Sequence, residues 1–148
     1  MKKMFFILLG IAILSQVSIA QKVSASKVPQ AVTKTFKSKF PAASSIKWEL
    51  ENADYEANFK INGKEMSANF DKMGTWLETE TEIKVSALPA SVRATLSKEF
   101  AGFKIEEASQ IESAKNGSCY EAEVEKGKES YDVLFSADGK FLSKTKEK

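Results

Sequence analysis

The sequence predicts an α+β protein of two tandem units, each a helix followed by four antiparallel strands, with the helices on one face of the sheet. Three observations lead there. Residues 55–77, YEANFKINGKEMSANFDKMGTWL, return without a gap as residues 120–142, YEAEVEKGKESYDVLFSADGKFL. Upstream of each copy lies a second matched pair, VPQAVTKTFKSKF at 28–40 and LPASVRATLSKEF at 88–100. Within each copy the apolar period then changes from near four to two, the signature of a helix giving way to strands.

The elements follow in order. Val28, Val32, Phe36 and Phe40, and their counterparts Leu88, Val92, Leu96 and Phe100, recur every fourth residue and draw one apolar stripe along a short helix. Pro29 and Pro89 stand where a first turn tolerates a missing N–H; Pro41 stops the first helix and Gly102 can end the second in a left-handed conformation. Ile46, Trp48 and Leu50 then alternate with Lys47, Glu49 and Glu51, and Tyr55, Ala57, Phe59 and Ile61 alternate with Glu56, Asn58 and Lys60. Asn62-Gly63 is a tight-turn signal, after which Met66, Ala68 and Phe70 continue the apolar face. Asp71 to Gly74 turns the chain into TWLETETEI, and Tyr120, Ala122, Val124, Tyr131, Val133 and Phe135 repeat the pattern. The second copy holds five more residues between Phe100 and Tyr120 than the first holds between Phe40 and Tyr55, so a longer loop or a bulge is expected within 101–119. A unit of this size has a marginal core alone, and two units packed together through the short link at 84–89 are expected.

Residues 1–20 read as a signal peptide: Lys2 and Lys3, an apolar run at 4–14, and Ser18-Ile19-Ala20 before the cut. Residues 21–27 are expected to be a linker, 28–84 the first repeat and 85–148 the second. Removing residues 1–20 takes two lysines from the 22 basic groups and none of the 20 acidic ones, so the exported chain is neutral and has no global attraction for nucleic acid. No membrane span is expected in the mature chain, which should be a periplasmic or secreted monomer. Cys119 is the only cysteine, so no internal disulfide forms; it is a buried small hydrophobe or a point of intermolecular pairing.

A secreted chain with tandem copies of a helix, a YEA strand (Tyr55 to Ala57 and Tyr120 to Ala122) and a hairpin such as NFDKMGTWL (Asn69 to Leu77) resembles the PepSY-like, β-lactamase-inhibitor-like family of exported proteins. The resemblance runs from Val28 to Thr145; the second copy departs from the first with Ser136 for Asp71 and Phe141 for Trp76. It implies a fold in which a curved sheet grips a partner protein, and it carries over no catalytic residues.

The residues point the same way. There is no histidine for general-base or metal work, no second cysteine, no nucleophile elbow and no phosphate-cradling glycine loop, so no catalytic residues, metal or cofactor are expected. What remains is a sheet with one polar side. Strand phase puts Glu49, Glu56, Asn58, Asn69, Glu78, Glu80, Glu121 and Glu123 on it. Such rows hold calcium poorly and suit a basic protein surface in the cell envelope better. By strict alternation Trp76 shares the phase of these glutamates and would be an aromatic anchor, whereas a bulge after Gly74 would turn it into the core. The expected function is a non-enzymatic protein-binding or inhibitor-like module, with a structural or envelope-stress role as the alternative.

Overall fold

The computed structural model describes residues 21–146. The signal-peptide expectation lies outside the described residues. The chain forms β1 (Gln21–Val23), helix α1 (Gln30–Lys39), β2 (Ser44–Glu51), β3 (Asp54–Ile61), β4 (Lys64–Phe70), β5 (Trp76–Ile83), helix α2 (Ala90–Glu99), β6 (Lys104–Ser113), β7 (Gly117–Lys126), β8 (Glu129–Ser136) and β9 (Phe141–Lys146). A short 3-10 turn precedes each helix, at Ala25–Lys27 and Val85–Ala87. All nine strands join one antiparallel sheet in chain order.

Helices of ten residues are marginal in water, so packing must hold these two. Each starts on its proline: the amides of Thr33 and Arg93 donate to the carbonyls of Pro29 (3.1 Å) and Pro89 (3.0 Å). Val32 and Phe36 of α1 pack on Trp48, Ala57, Phe59, Ala68 and Phe70. Phe36 meets Trp48 and Phe59 edge-on, with ring centroids 5.2 and 5.1 Å apart. Val92 and Leu96 of α2 pack instead on Ala108, Ala122, Val124, Val133 and Phe135. The first core is mostly aromatic, the second mostly aliphatic. Burying Phe70 or Phe135 completely stabilises each by about 1.5–3 kcal/mol.

The hairpin after each third strand is pinned to its helix. Gly74 and Gly139 both take φ +85°, and a Cβ on either would stand 2.6 Å from the backbone carbon of Ala31 or Ser91 in the first turn of the facing helix. Side chains at equivalent places close both turns. The amides of Met73 (2.8 Å) and Thr75 (2.9 Å) donate to Asp71 Oδ1, and the amide of Lys140 donates to Ser136 Oγ (3.1 Å). Serine at the second turn therefore reproduces the bond that Thr75 gives to Asp71, one of the two that the aspartate accepts.

One expectation is revised, and one open question is answered. Residues 21–23, within the expected linker, pair with β2 through Gln21 and Leu50, Lys22 and Glu49, and Val23 and Trp48. The halves do not merely pack: β5 pairs with β6 over six residue pairs, from Glu78 opposite Ser113 to Ile83 opposite Ala108. The five extra residues of the second half lengthen its first hairpin. They add two residues to β6, one to the turn and two before Tyr120 in β7, while a bulge falls between Ile105 and Glu107.

Candidate functional site: the carboxylate face of the sheet

Register places the polar residues in rows on the side away from the helices. Glu49, Glu56, Asn69 and Glu78 stand opposite one another across β2 to β5. The next row holds Asn58, Ser67, Glu80, Ile111 and Cys119. Farther along, Glu107, Glu123 and Asp132 align across β6 to β8, and Ser109, Glu121 and Leu134 form the row between. Eight of the nine face residues expected from strand phase lie here.

Trp76 does not. A bulge between β4 and β5 pairs Trp76 with Phe70 and Glu78 with Asn69, leaving Leu77 as the extra residue. Trp76 thereby turns to the helix side and packs against the first core. Its Nε1–H donates to Thr79 Oγ1 (2.8 Å), and Lys39 Nζ sits 4.0 Å over the ring. The partner-anchor reading of Trp76 is thus corrected, and the bulge alternative describes the molecule.

The rows are far more enclosed than an open sheet face would be. Glu56 is 3% exposed, Ser67 0% and Glu80 4%, with Asn69, Ser109, Glu121 and Asp132 also buried. The helices cover the other side, so this enclosure comes from neighbouring side chains of the sheet itself. Bulges bend the strands between Ser44 and Lys47, between Asn69 and Phe70, between Ile105 and Glu107, and between Leu134 and Phe135.

Electrostatics report the same crowding. Burial first, then the charges of Glu49, Glu51 and Glu80, push the Glu56 carboxyl up to about 8, against a hydrogen bond from the Asn58 side chain. Glu80 is raised chiefly by burial, opposed by a hydrogen bond with Ser109 and aided by Glu78, Asp132 and Glu107. Burial raises Glu78 as well, opposed by the Asn69 amide, which donates to Glu78 Oε1 at 3.2 Å. Glu56 Oε1 and Ser67 Oγ are buried with no hydrogen-bond partner.

Ser67, Ser109 and Asp132 were not among the expected site residues. The phase of Ser67, between Met66 and Ala68, and that of Asp132, between Tyr131 and Val133, could have found both. Leu134 and Cys119 give the same face buried apolar ground. The Cys119 thiol is free, and burial, then Glu78, raises its pKa, which keeps it from acting as a thiolate. Among the described residues no group of three or more Cys, Asp or Glu side chains is placed to hold a metal ion. No helix among them is long and apolar enough to cross a membrane. On the helix side, a groove of about 260 Å³ lies between the halves, lined by Phe40, Met66, Thr81 and Gln110 with Lys39 and Glu112 at its polar edge.

Comparison with known proteins places this architecture. A BLIP-like protein from Bacteroides fragilis, solved by crystallography, is similar at 28% identity over 80% of this chain and 86% of its own, with a TM-score of 0.69. A protein from Bacteroides eggerthii described as "putative periplasmic" (23% identity, 80% and 88% coverage, TM-score 0.75) shares the fold. So does a DUF2874 family protein from Bacteroides uniformis (22% identity, 80% and 88% coverage, TM-score 0.74). The comparison with curated proteins gives no match. A family profile described as "Putative beta-lactamase-inhibitor-like, PepSY-like" matches residues 16–67 and 54–143, and the chain belongs to this PepSY-like family.

Proposed function

We propose that the protein is an exported, non-catalytic module that binds a protein partner through the carboxylate face of its sheet. The observation carrying this reading is the buried polar face itself. A fold needs an apolar side for its core, but nothing in folding requires glutamates to be enclosed on the other, where desolvation works against them. We take the recurrence of 3-10 turn, helix and four strands as two copies of one unit, whose pairing at β5 and β6 doubles the width of that face. A sheet of this breadth suffices for the roughly 800 Å² per partner of a standard protein interface. The family description and the likeness to a BLIP-like protein support an inhibitor-like mode. Export to the periplasm, with cleavage after Ala20, agrees with the basic, apolar and small-residue series at the N-terminus and with the periplasmic relative.

The test begins with a partner captured from an envelope extract, its binding then compared across variants. Glu80→Gln and Glu121→Gln are expected to weaken it, with an effect that shrinks as salt rises, while Lys37→Ala on the exposed side of α1 leaves it unchanged. Loss of binding with Lys37→Ala, and none with the sheet variants, would place the docking surface on the helices instead.

A further inference from the structure

The carboxylate face has a local focus over β3 to β5. Glu80 stands opposite Ser67 and Glu56 lies diagonally across from it, all three at most 4% exposed, and both Glu56 Oε1 and Ser67 Oγ lack a partner. Around Glu56 stand Glu49, Glu51 and Lys47 of β2, Asp54 and Asn58 of its own strand, Asn69 of β4 and Glu78 of β5. Lys22 of β1 lies beyond Glu49. The ion pairs Lys60–Glu65, Lys98–Glu99 and Lys104–Glu106 engage neither Glu56 nor Glu80. Orphaned acceptors enclosed among acids are unfavourable in the free protein and are relieved by a donor that is also a cation.

We propose that Glu56, Ser67 and Glu80 form a seat for the guanidinium group of an arginine side chain presented by the partner. This rests on the reading of the sheet as the docking face. A compact metal ion fits poorly: no described carboxylate group converges tightly enough, and Glu56 and Glu80 rise from strands roughly 10 Å apart. A guanidinium is planar, carries donors along several edges, accepts no hydrogen bonds and is more weakly hydrated than an ammonium. It therefore suits separated acceptors in an enclosed place. Because burial and neighbouring acids hold Glu56 protonated near neutral pH, seating the cation expels that proton to solvent. The seat exchanges a proton for an arginine.

The test titrates hexa-arginine into the protein at pH 7 by calorimetry, once in phosphate and once in Tris, whose different ionisation enthalpies count the protons released. Binding is expected with release on the order of half to one proton per seat. Glu56→Gln should remove most of the release, leaving the smaller share from Glu80, and weaken binding roughly tenfold, Ser67→Ala should weaken it several-fold, and hexa-lysine should bind at least about tenfold more weakly. Glu112→Gln, on the helix side, should change nothing. Binding without proton release, full affinity in Glu56→Gln, or equal binding of hexa-lysine would each overturn the seat. Backbone amide shifts separate the two levels of the argument. Perturbation at Asn58 and Asn69 with Glu56→Gln unaffected removes the seat and keeps the docking face, whereas perturbation confined to the helices removes both.

Discussion

On the helix side of the sheet, Phe70 and Phe135 are fully enclosed by rings and aliphatic chains. On the other side Glu56, Ser67 and Glu80 are almost as enclosed, among carboxylates and hydroxyls and without a covering helix. The first kind of burial stabilises the fold whatever the task of the protein. The second opposes the fold, because a desolvated carboxyl with an unmet oxygen costs free energy that valine there would not. Burial alone therefore says little about role. Burial against the energetic gradient is what sets the carboxylate face apart from one that serves packing alone.

The largest way to strain this contrast is in the core. Phe70→Ala is expected to lower stability by about 3–5 kcal/mol, and Phe135→Ala by a similar amount, measured by denaturant unfolding. If the aliphatic second core tolerates its change much better than the aromatic first, the halves are not equivalent supports. Gly74→Ala and Gly139→Ala should each cost roughly 2–3 kcal/mol, since positive φ and contact with the facing helix act together. Equal losses at both would sharpen the equivalence of the hairpins.

The carboxylate face should answer to pH in the opposite sense from a salt-bridged acid. With its carboxyl raised from 4.5 to about 8, Glu56 favours the fold fully below the lower value, and that contribution is lost as pH rises toward the upper one. Glu56→Gln should flatten the decline and leave the variant about 1–2 kcal/mol more stable than the parent above pH 8. A variant less stable than the parent there would mean that Glu56 has a stabilising partner. Smallest is Trp76→Phe, which makes the first half resemble the second at Phe141; losing the bond to Thr79 should cost about 1 kcal/mol.

Much of this architecture is legible in the residues. The fourfold stripes mark both helices, and Asn62-Gly63 takes the doubly left-handed turn (φ 52° and 80°) that the pair announces. Strand phase alone puts eight carboxyl or amide residues on the correct face. What escapes has physical causes. Gln21 to Val23 is too short to show a period, and the choice of β6 as the partner of β5 is a long-range matter that no local pattern encodes. Trp76 changes sides because a single extra residue, Leu77, reverses the alternation. The enclosure of Glu56 and Glu80 is hidden for a related reason: alternation tells which side a residue takes, while its burial depends on side chains brought in from several strands.

The most direct test of the central claim is a carbon-13 NMR titration of the side-chain carboxyls, with Glu65 as internal reference. Glu65, at the outer end of the β3–β4 hairpin, is held below the ordinary range by its hydrogen bond and charge contact with Lys60. Glu56 is expected to titrate near 8, well separated from Glu65, and to shift downward when hexa-arginine is added. Glu56 titrating in the ordinary carboxylate range, only a little above Glu65 and unmoved by the peptide, would contradict the account.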